Sequence, residues 1–198
     1  MKREHENLRD IKLLKKGGIL VSQPFGDNDE FGEHDDFYRT VILLVTHSKE
    51  GSMGLILNKP ITIDEDVLTA GPFNYPLGYG GPLDSVRLFA LYSGSLALAN
   101  SKRVKTDLHV GGDLESIIEK IACGDIETKD VRFFLGYAGW DKGQLEAEVE
   151  MGEWLVKDAE SSDIVRKYID KSSWEDILLE IGGEYAQWVQ YPSNPSLN

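Results

Sequence analysis

The apolar residues of this chain fall into short runs of the length expected for β-strands. Such runs cover residues 19–21, 40–47, 53–57, 86–92, 131–135 and 154–156. Glycine, proline or charged residues bound most of them, which is the pattern of buried strands. The second and third runs are separated by Ser-Lys-Glu-Gly-Ser and are apolar at nearly every position. We therefore predict that they form a β-hairpin whose two faces are both covered.

A second pattern, with apolar residues three and four positions apart, predicts amphipathic helices. It is clearest after Asp113, which can cap a helix whose apolar positions are Leu114, Ile117, Ile118 and Ile121. Related patterns predict helices at residues 6–15, 144–151, 163–169 and 172–181. In the last of these, Ser172 and Glu175 have the spacing of a capping box.

One stretch fits neither pattern. Residues 136–145 read Gly-Tyr-Ala-Gly-Trp-Asp-Lys-Gly-Gln-Leu, so glycines alternate with two large aromatic residues. Glycine permits a positive φ or a close backbone approach, while tyrosine and tryptophan fill space or line a pocket. We predict a corner between a strand and a helix, serving either for packing or for binding.

The length of 198 residues, with 41% hydrophobic and 28% charged residues, predicts one globular domain over residues 1–198. The 34 acidic and 21 basic residues give a net charge of −13. Such a charge argues against a general nucleic-acid binder and against docking on anionic lipid. A DNA-binding hypothesis would depend on two local basic clusters, Lys12 with Lys15 and Lys16, and Lys102 and Arg103 with Lys105.

The expected compartment is the cytosol. The first 16 residues are charged and lack the apolar core of a signal peptide, and a single cysteine excludes an intrachain disulfide. No apolar run approaches the roughly 18–20 residues that a membrane helix needs.

Familiar chemical motifs do not account for this sequence. The acidic residues 27–32 resemble a calcium loop only faintly, because Phe31 and Tyr38 occupy the positions where an EF-hand requires ligands. The four histidines have no metal-binding spacing, and neither a nucleophile elbow nor a phosphate loop occurs. We predict no catalytic residue, no metal and no cofactor.

Several blocks together resemble a known family. Phe-x-Arg-Thr-Val at 37–41, His47 and Gly-Leu-x-Leu-Asn-x-Pro at 54–60 resemble the first signature of the bacterial YqgE/AlgH family, also called UPF0301 or DUF179. Gly-Gly-Pro at 80–82, Gly-Gly-Asp at 111–113, and the stretch 136–145 followed by Trp154 resemble its later blocks in order. The resemblance covers about residues 18–156 and leaves a helical part at 157–190. Tyr92 and Lys59 depart from it, since histidine and arginine are common there.

The resemblance implies an α+β fold with a mixed, partly closed, barrel-like β-sheet flanked by helices. It implies a cytosolic bacterial protein without an established activity, although one branch is labelled a transcriptional regulator of alginate production. We expect a non-enzymatic binding or regulatory protein that recruits an unidentified protein partner or small ligand. The alternatives are a small-molecule hydrolase with a pocket near Arg39, His47 and Asn58, and a transcriptional regulator.

The candidate ligand-binding residues are Arg39, His47, Asn58, Tyr137, Trp140 and Gln144. In that role the arginine holds an anion, the two amides donate hydrogen bonds and the aromatic rings stack. Each also has a structural alternative: Arg39 pairs with Asp35 or Asp36, and Asn58 caps the turn before Pro60. Convergence of these side chains in one pocket would favour the enzyme hypothesis, and dispersal would count against it.

Overall fold

The computed structural model describes residues 8–24, 36–61, 75–169 and 171–191. Its strands are β1 (Ile19–Ser22), β2 (Val41–Ser48), β3 (Gly51–Ile56), β4 (Pro60–Ile61), β5 (Leu77–Tyr79), β6 (Leu83–Ser93), β7 (Ser101–Lys105), β8 (Leu108–Gly111), β9 (Val131–Asp141) and β10 (Trp154–Lys157). The sheet order is β10-β1-β2-β3-β9-β6-β8-β7, with β4 and β5 off this path. All pairs are antiparallel except β5 with β9, so the sheet is mixed.

Helices lie around this sheet. They are α1 (Leu114–Ala122), α2 (Gln144–Met151), α3 (Ser161–Arg166) and α4 (Ser173–Ile181), with 3-10 turns at Ile11–Leu13, Thr128–Asp130 and Tyr185–Gln190. Within the described ranges, every helix is too short or too polar to span a bilayer. The arrangement confirms the single-domain α+β fold with a partly closed sheet.

The two ends of the sheet order approach each other at one point. The Lys105 amine, at the end of β7, lies 2.6 Å from the Asp158 carboxylate, which follows β10. The Lys15 amine binds the other oxygen of that carboxylate at 2.8 Å. Burial alone would raise the pKa of Asp158, but the hydrogen bonds and charges of Lys105 and Lys15 lower it to about 2. An ion-pair network therefore joins the edges where the curled sheet begins to close.

The core has three parts, and the hairpin of β2 and β3 lies between two of them. Leu43 and Val45 of β2 face a cluster that includes residues of α3 and α4. Ile42 and Leu44 face the opposite side, where α2 packs against Trp140 and Trp154. A third cluster lies around Tyr92 and Ile117 of α1. The predicted hairpin and the burial of both its faces are confirmed.

The glycine-rich stretch after residue 135 turns only near its end, between β9 and α2. β9 continues through it to Asp141, and Trp140 lies in the strand opposite Ser52 of β3. Gly136 has φ of +70°, and a Cβ on it would overlap the carbonyl oxygen of Gly81. The glycine allows β9 to pass so close to the chain before β6 that a side chain is excluded. The predicted corner is therefore confined to residues 142–143, because the glycines before them serve a close approach inside the sheet.

Other boundaries also differ. Of the predicted helix at 6–15, the described part contains only the 3-10 turn Ile11–Leu13, whose first turn is capped by Asp10. The helix predicted at 163–169 is α3, which begins and ends earlier. The capping box was wrong, since Ser172 makes no side-chain cap and its hydroxyl donates to Asp176 at 3.2 Å. Most of the acidic stretch 26–36 and of the tail 191–198 lies outside the described residues.

Replacing Gly136 by alanine should destabilise the protein far more than the same change at Gly143. Both glycines have positive φ, at +70° and +75°, so both substitutions carry the left-handed backbone penalty of about 1–2 kcal/mol. Only at Gly136 does the new methyl group collide with backbone. In urea denaturation, Gly136→Ala should lose more of the free energy of unfolding than Gly143→Ala, up to a complete failure to fold. Equal losses would contradict the close approach.

Stability should fall as the pH drops below about 6.5, in part because of His109. The ring is 2% exposed and stacks on Tyr92, and its Nδ1 has no hydrogen-bond partner among the described residues. Burial and the charge of Arg103 lower the pKa of His109, against an opposing contribution from Asp107. The unfolded chain therefore binds the proton first, and protonation favours unfolding.

The variant His109→Phe keeps an aromatic ring and removes this titration. Its melting temperature should change less between pH 7.5 and 5.5 than that of the wild type. His47→Phe serves as the control, because His47 is more exposed and makes a hydrogen bond. A wild-type pH dependence retained in His109→Phe would exclude His109 as its source.

Candidate functional site

Asn58 fixes the backbone around Arg39. Its Oδ1 accepts a hydrogen bond from the Val41 amide at 2.9 Å, and its Nδ2 donates to the Arg39 carbonyl at 2.9 Å. Arg39 has φ of +49°, which is uncommon for a residue other than glycine. The expectation that Asn58 caps the turn before Pro60 was wrong, since this buried amide joins the end of β3 to the beginning of β2. It positions Arg39.

The Arg39 guanidinium is held by the C-terminal part of the chain. Its Nη1 donates to the Glu175 carboxylate at 2.8 Å, and its Nη2 donates to the Tyr191 carbonyl. The group also lies over the Trp174 ring, 4.8 Å from the centroid. Its Nε is buried and has no hydrogen-bond partner within the described ranges. The structural alternative for Arg39 was a pair with Asp35 or Asp36; its ion pair in the described residues is with Glu175, and residue 35 lies outside them.

Asp36 has other partners. The Tyr79 hydroxyl donates to its carboxylate at 2.9 Å, and the Lys59 amine donates to its carbonyl oxygen. Burial, this hydrogen bond and the negative charge of Asp36 raise the pKa of Tyr79 to about 12. The tyrosine therefore remains a neutral hydrogen-bond donor at physiological pH. These contacts connect β5 with the chain leading into β2.

Arg39, Asn58, Lys59, Pro60 and Lys171 line a cleft of about 340 Å³, which we call the Arg39 cleft. Three of its five lining side chains are cationic. Lys171 is exposed and lies two residues before α4, and Glu175 belongs to the first turn of that helix. The cleft therefore combines positive charge with a rigidly held arginine, which suits a carboxylate or phosphate group.

Trp140 and Gln144 belong to a different cluster, centred on Glu148. Both indole nitrogens, of Trp140 and Trp154, donate to Glu148 Oε2 at 2.7 and 2.8 Å. The Gln144 amide donates to Oε1 at 2.8 Å, and its own oxygen accepts from the Asp141 amide at 2.9 Å. One carboxylate thus joins β9, α2 and β10, and two of the candidate site residues are among its partners.

His47 and Tyr137 lie apart from the cleft. The His47 Nδ1 lies 2.8 Å from the Ser52 hydroxyl, and its Nε2 lies 4.0 Å from Glu146. At about 3.3 Å per residue, the strand from Val41 to His47 spans roughly 20 Å, which separates His47 from Arg39. Tyr137 alternates with Ala138 and Trp140 along β9, so it faces the other side of the sheet, where it meets Phe89.

The six candidate residues therefore do not form one pocket. Arg39 and Asn58 meet in the cleft, Trp140 and Gln144 meet at Glu148, and the other two are separate. Sequence reasoning missed Glu148, Glu175 and Lys171. The spacing of Gln144 and Glu148, one helical turn apart, was a signal that could have been used. Nothing local marked Glu175 as the partner of Arg39, because 136 positions separate them. Within the described residues, no cluster of three metal-ligating side chains occurs.

Comparison with known proteins places the chain in a family of bacterial proteins. The AlgH-like family model, DUF179, matches residues 27–186, and the chain belongs to this family. A UPF0301 protein of Cytophaga hutchinsonii is 38% identical over 193 residues, covering 94% of this chain and all of that protein. One from Chlorobaculum tepidum is 37% identical over the full length of both.

Two solved structures share the fold. A crystal structure of a protein from Corynebacterium diphtheriae matches with a TM-score of 0.69 and 24% identity, covering 88% of this chain and 91% of that one. The solution structure of AlgH from Pseudomonas aeruginosa matches with a TM-score of 0.65 and 22% identity over 98% of both chains. At this level of identity the likeness supports the half-barrel architecture.

Replacing Glu148 by glutamine should lower the free energy of unfolding by about 1–3 kcal/mol, because two indole donors lose a charged acceptor. Glu150→Gln is the matched control, since Glu150 lies on the same helix and is exposed. Urea denaturation followed by tryptophan fluorescence measures both. If the two variants unfold alike, Glu148 does not join the three elements.

Proposed function

We propose that this AlgH-like protein is a non-enzymatic binding protein whose Arg39 cleft holds the anionic group of a small ligand or of a partner. The observation that carries the proposal is the grouping of Arg39, Lys59 and Lys171 around one cleft. In a chain of net charge −13, three cations gathered at a concave site create a local positive potential that attracts anions. The proposed site of action is the cytosol.

Arg39 is preorganised by its neighbours, which supports this role. Its backbone is held in an uncommon conformation by a buried asparagine, and its guanidinium is fixed by a ring and two acceptors. A cation held in advance loses little conformational entropy when it binds an anion. Strained backbone that the surrounding structure maintains is often found at functional sites.

Glu175 acts as an internal competitor in this proposal. Its carboxylate occupies one edge of the Arg39 guanidinium, at 15% and 30% side-chain exposure for the two residues. An incoming carboxylate or phosphate would share or displace that contact. Removing the charge of Glu175 should therefore strengthen anion binding, whereas removing the charge of Arg39 should weaken it.

The hydrolase alternative needs Arg39 and His47 in one pocket, and the length of β2 keeps them apart. We favour binding for that reason. A role in transcription would then be indirect, through a ligand or a protein partner, because the net charge opposes DNA. Incubation with ester and phosphate-ester substrates tests this preference: turnover that is lost in His47→Ala would favour the enzyme instead.

Citrate and pyrophosphate at millimolar concentration are suitable probes for the cleft, against chloride at equal ionic strength. A probe at ten times its Kd should stabilise the wild type by about 1.4 kcal/mol, or roughly 3–6 °C in melting temperature. Arg39→Gln and Lys171→Gln should reduce the shift, and Glu175→Gln should increase it. Lys142→Gln is the matched control, since Lys142 is exposed and lies outside the cleft.

Equal shifts in the wild type and in Arg39→Gln would mean that the anions act on the surface in general. Isothermal titration calorimetry with the same probes gives a second readout. If it finds no binding that depends on Arg39, the proposed function fails.

A further inference from the structure

Two basic stretches that lie far apart in the sequence come together at one edge of the sheet. The Lys16 amine donates to the Arg103 carbonyl at 3.1 Å, across 87 positions of sequence. Beside them, Lys15 and Lys105 share the Asp158 carboxylate. The cations of the N-terminal segment and of β7 thus form one surface, and this surface is separate from the Arg39 cleft.

This surface keeps unbalanced positive charge. Lys16, Lys102 and Arg103 are exposed, and none has a salt bridge with a described residue. Asp158 offsets only Lys15 and Lys105. We call Lys16, Lys102 and Arg103 the basic edge.

One residue of the basic edge, Arg103, directs its backbone outward. β7 is the last strand in the sheet order and pairs only with β8 among the described strands. In an antiparallel strand, the N–H and C=O of one residue point to the same side. The Arg103 carbonyl accepts from the Lys16 amine, and the Ser101 N–H, two residues earlier on the same strand, donates to Leu98 and not to β8. Because alternate residues of a strand point to the same side, we infer that the Arg103 N–H faces outward. Lysines along an edge repel strands of positive charge and favour strands of negative charge.

We propose that the basic edge is a docking surface for an acidic, extended segment of another protein, which adds to β7 as a further strand. The segment would exchange backbone hydrogen bonds with Arg103, displacing the Lys16 amine, and would place carboxylates beside Lys16, Lys102 and Arg103. This inference does not depend on the Arg39 cleft.

A peptide suits the surface better than a nucleic acid for two reasons. A strand satisfies the outward N–H and C=O of Arg103 together, while phosphates satisfy only the donor. A duplex would extend beyond the basic edge onto the rest of a chain with 34 acidic residues, whereas a short strand contacts only this edge.

The test uses a fluorescein-labelled peptide of about eight residues that alternates glutamate with valine, and a matched peptide with glutamine in place of glutamate. Fluorescence anisotropy with the full chain at pH 8 and low salt should detect binding of the acidic peptide alone. The double variant Lys102→Glu with Arg103→Glu should weaken it at least tenfold. The double variant Lys49→Glu with Lys142→Glu is the control, because both lysines are exposed and lie in other turns.

Arg103→Pro tests the strand geometry, with Arg103→Gln as its partner. Both remove the charge, but only proline removes the outward N–H, and proline is tolerated on edge strands. Arg103→Pro should bind the acidic peptide more weakly than Arg103→Gln, and hydrogen exchange at residue 103 should slow when the peptide binds to the wild type. Circular dichroism melts confirm that each variant is folded.

Several outcomes would overturn the inference. The first is that the glutamine peptide binds as tightly as the acidic peptide. The second is that the control variant loses as much affinity as the double variant at Lys102 and Arg103. The third is that Arg103→Pro and Arg103→Gln bind the acidic peptide with equal affinity. Tighter binding of a single-stranded oligonucleotide would assign the basic edge to nucleic acid. Self-association that the charge reversal abolishes, measured by light scattering, would assign it to a second copy of this chain.

Discussion

The fold depends on one strand that belongs to both halves of the sheet. Residues near the end of β9 pair with β3, while those near its beginning pair with β5 on one side and β6 on the other. The change of partners occurs around Gly136, where the chain before β6 passes so close that neither Gly136 nor Gly81 has room for a side chain. The strands of the main path follow in order on either side of β9. Close packing of backbone against backbone is therefore the constraint from which the half-barrel follows.

The family signature serves two different physical purposes. The glycines at 80–82 and 136–139, with Trp140 and Trp154, hold the two halves of the sheet and α2 together. The first block, around Arg39, Asn58 and Lys59, instead lines a cationic cleft. Different blocks of one family signature can thus mark the fold in one place and a cationic cleft in another. The contacts of each residue in the structure are needed to tell these two kinds of block apart.

Most strands were predictable because a buried strand needs a run of apolar residues, and such runs are visible in the sequence. The extension of β9 was not, since glycine near aromatic residues is typical of turns as well as of close approaches. The six candidate residues separate in the structure: Arg39 and Asn58 line one cleft, whereas Trp140 and Gln144 bond to Glu148. The partner of Arg39 could not be predicted, because Glu175 comes from a helix that tertiary packing alone brings near.

The contact between Arg39 and Glu175 also has a consequence for how the protein is made. It closes a loop of 136 positions, and Tyr191 closes a longer one on the same guanidinium. At 5–20 residues per second, a ribosome needs roughly 7–30 s to synthesise the chain between the two partners. During that time the sheet can begin to form, but the cleft lacks Lys171 and the anchors of Arg39. The Arg39 cleft is therefore among the last parts of the molecule to be completed, and a nascent chain that still lacks residues 171–191 does not present it.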